Sequence, residues 1–218
     1  MPNALFLVAA VVLAYLLGSV PFAMVSSRLF GLADPRSYGS KNPGATNVLR
    51  SGNKKAAIVT LLGDLTKGWL AVFLVQTYGS RFGLGSGAVT LVALAVFFGH
   101  LFPIFLNFRG GKGVVTTAAM MLLLDWRVFL ICFAVFLLVF LKKRMVSLSS
   151  ITAAAIYPVV TFCMTYFVDC CVGGLPVLYV VMATLVAALI GATVIIKHRA
   201  NIKRIRNGTE STISFKKK

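Results

Sequence analysis

Residues 99–113, GHLFPIFLNFRGGKG, carry the strongest signal in the sequence. This stretch leaves one apolar segment, passes through Arg109, a glycine pair, Lys112 and one more glycine, and enters the next apolar segment at Val114. Glycines leave backbone N–H groups unshielded, and the N-terminus of a following helix adds further N–H groups and a positive dipole end. The stretch therefore predicts a pocket for a phosphate or a carboxylate where the chain enters a membrane. A tight turn with snorkelling cations is the alternative, although a plain turn needs neither so many glycines nor this charge density.

The composition of the whole chain indicates a polytopic membrane protein. Hydrophobic residues make up 59% of it and the mean hydropathy is +0.91, which is too apolar for a soluble domain. The net charge of +17, from 22 Lys and Arg against 5 Asp and Glu, would suggest nucleic acid as the partner of a soluble protein. Here the cations lie in short loops between apolar runs, which is typical of positive-inside topology. We therefore expect no nucleic-acid partner, and we expect no cleavable signal peptide because the first apolar run is too long and lacks a basic start.

Apolar runs of membrane-crossing length predict an all-α protein with seven transmembrane helices in a single domain, residues 1–218. The expected spans are about 3–24, 56–77, 85–106, 113–124, 128–141, 150–168 and 175–196. The fourth and fifth could form one long helix. A turn at Asp125 is favoured because it keeps two basic clusters, FRGGKG (108–113) and KKR (142–144), on one side of the membrane. The N-terminus is then outside and the C-terminus cytoplasmic.

Three further polar clusters lie on the predicted cytoplasmic side. The loop 36–50, RSYGSKNPGATNVLR, is either a binding loop rich in hydrogen-bond donors or a re-entrant loop whose amides satisfy its own backbone. The serines of SLSS, 147–150, precede an apolar run and are interpreted first as helix N-caps. The tail, 197–218, combines His198 and Glu210 with many cations, and a basic helix resting on anionic lipid is its alternative.

Few acidic side chains are available for chemistry. The expected cytoplasmic acids are Asp34 and Glu210, so we expect neither a two-carboxylate mechanism nor a metal site. Asp64 and Lys67 lie inside a span, three residues apart and therefore on one helical face. An intramembrane ionisable pair suggests function by default, but structural pairing is the favoured interpretation here.

Four stretches together resemble the acyl-phosphate-dependent, membrane-integral glycerol-3-phosphate acyltransferases of bacteria. They are LGSVPF (17–22), GSKNPGATN (39–47), the stretch 99–113 and KHRANIKRIRNGTE (197–210). The resemblance covers essentially the whole chain in order, and one departure is Lys41, where glycine is common in the family. It implies a seven-helix fold in the bacterial inner membrane, with the active site on the cytoplasmic face.

The resemblance also implies a reaction. A fatty acyl group passes from acyl-phosphate to the 1-hydroxyl of glycerol 3-phosphate, which gives lysophosphatidic acid and phosphate in the first acylation of phospholipid synthesis. The implied partners are these two substrates, the lipid bilayer and the enzyme that makes acyl-phosphate. No cofactor is implied.

The site hypothesis combines the resemblance with the residues. The glycine-rich stretch is expected to hold the phosphate of glycerol 3-phosphate through Arg109, Gly110, Gly111, Lys112 and Gly113. The second loop is expected to hold the phosphate of the acyl donor through Ser40, Asn42, Gly44, Asn47 and Arg50. Ser147, Ser150 and His198 are expected to complete the polar wall around the reacting hydroxyl. Asn201 and Glu210 are expected to bind substrate. The four assigned as catalytic are Ser40, Lys112, Ser150 and His198, and the proton acceptor is either His198 or an oxygen of a substrate phosphate.

Two other classes of function remain to be weighed against an enzyme. A membrane transporter of anions or phosphate esters would also use glycine-rich breaks and short helices, but its polar residues would run through the midplane instead of gathering at one face. A basic scaffold for anionic lipid or nucleic acid would need only the charges. Gly111→Ala separates the three classes, because it should harm an enzyme pocket, affect a transporter variably and leave a scaffold unchanged.

Overall fold

The computed structural model describes residues 2–213. Residue 1 and residues 214–218, which complete the predicted domain and tail, lie outside the described residues. Every regular element in the described part is helical, which confirms the all-α prediction. The chain divides into two compact units, Met1–Leu123 and Leu124–Lys218.

The first unit holds α1 (Pro2–Ser19), α2 (Phe22–Leu29), α3 (Ala45–Leu49), α4 (Lys54–Tyr78), α5 (Ser86–Leu101) and α6 (Val114–Leu124), with 3₁₀ turns at Gly79–Phe82 and Ile104–Leu106. The second unit holds α7 (Trp126–Lys143), α8 (Val146–Cys163), a π-helical turn at Met164–Cys170, α9 (Val177–Lys197) and α10 (Arg199–Arg206). Two long connections between helices lie in the first unit, at residues 30–44 between α2 and α3 and at residues 102–113 between α5 and α6.

Several of these segments can cross a membrane. Among the described residues, four are long and apolar enough, namely Lys54–Phe82, Ser86–Leu106, Val146–Cys170 and Val177–Lys197, and the α1–α2 pair makes a fifth if it counts as one span. They coincide with the predicted second, third, sixth, seventh and first spans. Helices α6 and α7 occupy the predicted fourth and fifth spans and are separate, as predicted, at Asp125. The chain is therefore a multi-pass membrane protein.

The first predicted span is interrupted. Within the predicted 3–24, α1 ends at Ser19 and α2 begins at Phe22, with a bend of 41° between them. Pro21 explains the break, because it has no N–H to donate and its ring would clash with the carbonyl of Leu17, four residues earlier. That carbonyl instead accepts the N–H of Val20 at 3.2 Å. The predicted first span therefore consists of two helices.

Glycines bring α1 and α5 into backbone contact. A side chain at Gly18 would overlap the Val96 carbonyl, and one at Gly99 would overlap the Tyr15 carbonyl. Small residues at such crossings are the usual means of close helix packing in membranes. The contact places the break in α1–α2 beside the end of α5, where the stretch 99–113 begins.

The serines of SLSS do not precede their helix. Helix α8 begins at Val146, its N-cap is Met145, and no side chain caps it, so the N-cap interpretation and the start at residue 150 are wrong. Ser149 and Ser150 instead donate to the carbonyls of Met145 and Val146, at 2.9 and 2.8 Å. Serine hydroxyls inside a helix commonly bond the carbonyl four residues back, so these two side chains fit within the helix.

Arg127 holds two parts of the second unit together. Its guanidinium bonds Asp125, the N-cap of α7, and pairs with both carboxylate oxygens of Asp169 in the π-helical turn at 2.8 Å. A bidentate guanidinium–carboxylate pair fixes geometry as well as charge. The pair anchors the start of α7 to the end of the α8 segment.

Candidate active site

The stretch after α5 folds back onto the end of that helix. The N–H groups of Leu106 and Phe108 donate to the Pro103 carbonyl, each at 3.0 Å. The N–H of Gly110 donates to the Leu101 carbonyl at 3.2 Å, and the N–H of Gly111 donates to the His100 carbonyl at 3.1 Å. The last carbonyls of α5, which have no partner within the helix, are thus satisfied by the turn.

The glycines of this turn are required by close packing. A Cβ on Gly110 would overlap the His100 carbonyl, and a Cβ on Gly111 would overlap the His100 imidazole. Gly113 has a φ of +80°, which glycine adopts without strain. The expectation that the glycine amides face a phosphate needs correction for Gly110 and Gly111, because both already donate within the protein. The first turn of α6, the half-buried Lys112 and the exposed Arg109 carry further N–H groups that can donate to an anion.

A pocket lies beside this turn in the first unit. It holds about 220 Å³ of space, counting the part that is open to solvent. Its polar side chains are Ser19, Asp64, Lys67 and His100, all buried. The break in α1–α2, the Gly110–Gly111 turn, Pro43 and two further apolar side chains complete the lining. The geometry suits a small polar group rather than a bulky one.

The loop 36–50 is organised by Asn47. This side chain is 1% exposed. Its Oδ1 accepts the N–H of Ser40 at 2.8 Å, and its Nδ2 donates to the carbonyls of Pro35 and Tyr38 at 2.6 and 3.2 Å. Asn47 therefore holds the loop together. Of the two alternatives predicted for this loop, the Asn47 amide fits the second, in which side-chain amides satisfy the loop's own backbone. The half-buried Ser40, Asn42 and Gly44 and the exposed Arg50 lie on the same loop.

Lys41 is strained in this loop, and we predict that Lys41→Gly stabilises the protein. Its φ is +56°, a left-handed conformation that costs an ordinary residue about 1–2 kcal/mol. Glycine removes that cost but loses more entropy on folding, which leaves a gain of about 0.5–1 kcal/mol. We expect the Tm of the purified protein in detergent to rise by about 2 °C. Lys55→Gly, an exposed position in the first turn of α4, is the matched control and should lower the Tm; a rise in both would contradict the strain argument.

In the second unit, His198 lies at the junction of α9 and α10. It is 2% exposed, and its Nδ1 is 2.7 Å from the Val194 carbonyl. A carbonyl can only accept, so Nδ1 carries the proton and Nε2 is the basic nitrogen of this tautomer. The sequence-predicted role of proton acceptor would therefore fall to Nε2 in this tautomer.

Glu210 gathers the other predicted residues of the second unit. Its Oε1 accepts from Ser147 Oγ at 2.8 Å and from Asn201 Nδ2 at 2.7 Å, and its Oε2 accepts from Arg204 Nε at 2.7 Å. Burial raises the pKa of Glu210, but the hydrogen bonds from Asn201, Ser147 and Arg204 outweigh it and hold the pKa below its ordinary value. The structure therefore brings Ser147, Asn201 and Glu210 together in one cluster that ties the tail to α8 and α10.

The depressed pKa of Glu210 predicts a pH-dependent stability. The carboxylate stabilises the fold fully above its unfolded pKa of about 4.5 and loses this contribution as the pH falls through the lower folded value. We expect Glu210→Gln to cost about 1.5–3 kcal/mol at neutral pH and to flatten the acid-side fall in Tm. Tm measured from pH 7 down to pH 3 in detergent tests this, and an equal acid-side fall in the wild type and the variant would contradict it.

The family model described as glycerol-3-phosphate acyltransferase matches residues 8–208 of the chain. The chain belongs to this family. The resemblance to membrane-integral glycerol-3-phosphate acyltransferases that the sequence motifs indicate is thereby confirmed.

Curated members of the acyltransferase family match the chain along nearly its whole length. The glycerol-3-phosphate acyltransferase of Dechloromonas aromatica (strain RCB) is 52% identical over 209 residues, 96% of this chain and 97% of the relative. That of Laribacter hongkongensis (strain HLHK9) is 51% identical over 211 residues, 97% and 98% of the two chains.

Two crystal structures have the same fold. Both are of PlsY (YgiH), described as an integral membrane glycerol 3-phosphate acyltransferase. Its glycerol 3-phosphate form has a TM-score of 0.79 and 37% identity, and covers 95% of this chain and 96% of that one. Its lysophosphatidic acid form has a TM-score of 0.77 and 36% identity, with 95% of each chain covered.

Most of the polar side chains that line the pocket of the first unit are absent from the sequence-predicted site. The sequence predicts a structural pair for Asp64 and Lys67 and no role for His100. The available signals were an i, i+3 ion pair inside an apolar run and a histidine at the end of the span that leads into the turn. Within residues 2–213, no group of three or more His, Cys, Asp or Glu side chains has the arrangement of a metal site.

Proposed function

We propose that this protein transfers a fatty acyl group from acyl-phosphate to the 1-hydroxyl of glycerol 3-phosphate, giving lysophosphatidic acid and inorganic phosphate. The observation that carries the proposal is the similarity over 95% of the chain to an acyltransferase whose crystal structures are its glycerol 3-phosphate and lysophosphatidic acid forms. Substrate and product of the proposed reaction correspond to those two molecules. Acyl-phosphate as the donor rests on the family resemblance of the motifs.

The proposed step needs no covalent intermediate. The hydroxyl oxygen attacks the acyl carbonyl carbon, the bond from that carbon to the phosphate oxygen breaks, and phosphate leaves with the bonding electrons. The hydroxyl proton goes to an acceptor. Because acyl-phosphate is already activated, positioning and charge stabilisation can supply most of the rate enhancement.

In the first unit, we assign Lys112 and the N-terminus of α6 to the phosphate of glycerol 3-phosphate, with Arg109 as a further cation. Gly110, Gly111 and Gly113 shape the turn by their small size, because a Cβ at each would overlap His100 or Phe97. The loop 36–50 is assigned to the phosphate of the acyl donor, and Asn47 supports that loop from within. Its proposed contacts with the donor come from Ser40, Asn42, Gly44 and Arg50.

In the second unit, we assign His198 and Ser150 to catalysis. The basic Nε2 of His198 is one candidate proton acceptor and a substrate phosphate oxygen is the other. Ser147, Asn201 and Glu210 were predicted to bind substrate, and their mutual hydrogen bonds favour a supporting role for Glu210. The cluster would then hold α10, and with it His198, in place.

The proposed setting is the bacterial inner membrane. Seven spans, with the N-terminus outside and the C-terminus in the cytoplasm, leave Arg81 and Arg127 as the only cations of the outer turns. The active site would then face the cytoplasm, where the enzyme that makes acyl-phosphate could deliver the donor. The proposal treats residues 1–218 as one functional domain and involves no cofactor and no nucleic acid.

The decisive experiment uses the purified protein in detergent or lipid. It is given acyl-phosphate and glycerol 3-phosphate, and release of phosphate is followed together with lysophosphatidic acid, with acyl-CoA as the donor in a parallel reaction. We expect equal amounts of both products from acyl-phosphate and none from acyl-CoA. Turnover with acyl-CoA would overturn the donor assignment, and no turnover with either donor in folded protein would overturn the proposed reaction.

A further inference from the structure

Three ionisable side chains lie almost completely buried in the first unit, beside the Gly110–Gly111 turn. Asp64 is 3% exposed, Lys67 is 2% exposed and His100 is 8% exposed. Asp64 and Lys67 come from α4, and His100 from the end of α5. Ionisable groups at membrane depth are costly to bury and are rarely retained without a role, yet the proposed chemistry assigns none to these three.

Lys67 connects α4 to the break in α1–α2. Its Nζ is 2.8 Å from Asp64 Oδ1 and donates to the Val20 carbonyl at 2.9 Å. Val20 lies at the C-terminal end of α1, where the helix dipole favours a cation. The negative charge of Asp64 offsets the cost of burying the Lys67 ammonium. The position of Lys67, and with it the bond to the Val20 carbonyl, therefore depends on Asp64.

His100 continues the same line of contacts to the anion-binding turn. Its Nδ1 is 3.5 Å from Asp64 Oδ1. Its backbone carbonyl accepts the N–H of Gly111, and its ring occupies the space that a side chain at Gly111 would fill. The contacts therefore run from Val20 through Lys67, Asp64 and His100 to Gly111, and the next residue is Lys112.

We propose that Asp64 is a positioning residue for the acylation reaction: through Lys67 and His100 it fixes the place of Gly111, and so directs Lys112 and the start of α6 toward the phosphate of glycerol 3-phosphate. This inference rests on the proposed function. A purely structural ion pair would only join one helix to another. The contacts of Asp64 instead reach, through His100, the turn that carries the proposed donors to the phosphate. A displacement of about 1 Å at such a site can cost about 10²-fold in rate, so loss of the carboxylate should be measurable in substrate binding.

The test is Asp64→Asn, which keeps the shape of the side chain and removes its charge. We expect the KM for glycerol 3-phosphate to rise at least about tenfold while the KM for acyl-phosphate changes less than about twofold. A merely structural role would lower Tm and the fraction of active protein, and so kcat, with both KM values unchanged. That second result would overturn the proposal.

A second variant guards against misfolding, because Asp64→Asn leaves the Lys67 ammonium buried without its carboxylate. In the double variant Asp64→Asn with Lys67→Gln the pair is neutral and the amide can still donate to the Val20 carbonyl. The same selective rise in KM is expected. Unchanged KM for glycerol 3-phosphate in either folded variant would overturn the proposal, and so would failure of both variants to fold, since the cluster would then serve folding itself.

Thr60→Val is the matched control. Thr60 lies one turn before Asp64 on α4 and shares a buried hydrogen bond of 2.6 Å with Ser26, away from the turn. Its loss should lower Tm and leave both KM values as in the wild type. A rise in the KM for glycerol 3-phosphate in this control as large as in Asp64→Asn would overturn the proposal.

Failure of this inference is distinguishable from failure of the proposed function. If the wild type does not acylate glycerol 3-phosphate, the proposed function fails. If the wild type turns over and Asp64→Asn keeps its KM for glycerol 3-phosphate, only the positioning role fails. The thermal shift that glycerol 3-phosphate produces in the wild type, and its loss in Asp64→Asn, gives a readout of binding without turnover.

Discussion

Lys112→Ala should lower kcat/KM for glycerol 3-phosphate by about 10²–10³-fold, the usual cost of removing one charged partner or one donor from a reacting group. The structure gives Lys112 a larger expected share of the phosphate binding. The N–H groups of Gly110 and Gly111 already donate to carbonyls at the end of α5, so the phosphate would be held by the side chains of Lys112 and Arg109 and by the first turn of α6. Initial rates of phosphate release, with acyl-phosphate fixed and glycerol 3-phosphate varied, give the ratio.

Two further variants make the result specific. Lys54→Ala removes an exposed cation from the start of α4 and should keep wild-type kinetics, which controls for a general loss of charge. Lys112→Arg keeps the charge but changes its shape and should fall between the wild type and Lys112→Ala. Wild-type kinetics in Lys112→Ala would remove this residue, and with it the phosphate assignment of the turn.

The helices could be predicted from the sequence because their signal is local. The apolar runs and the polar interruption at Asp125 each lie within a short window, and length and hydropathy suffice to find them. The break at Pro21 also had a local signal, a proline inside the run.

The site was harder to predict because its contacts join residues far apart in the sequence. The glycines and cations of FRGGKG predict a turn that could hold an anion. The sequence does not show that the N–H groups of Gly110 and Gly111 donate to carbonyls of α5, because that contact forms only when the turn folds back onto the helix. The role of Asn47 within its own loop and the grouping of Ser147 with Glu210 depend likewise on contacts over 7–12 and 63 residues. A residue type that can bind a ligand can equally bind its own backbone, and sequence alone does not separate the two.

His198→Gln should lower kcat by about 10²-fold or more if His198 accepts the proton of the glycerol hydroxyl, since a positioned base contributes about 10²–10⁴-fold. The bond from Nδ1 to the Val194 carbonyl fixes the tautomer in which Nε2 is basic. An imidazole that must be unprotonated to act also makes the wild-type rate fall toward acid pH, and the variant should lose that fall.

The pH profile of kcat decides between the two proton acceptors. Glutamine retains a polar group of similar reach but does not titrate, so both the rate and the shape of the profile should change together. Retained kcat with only a raised KM would instead mean that His198 binds substrate and that a phosphate oxygen takes the proton. In that case the reaction would depend on placing two phosphates correctly, and Lys112 and the loop 36–50 would account for most of the catalysis.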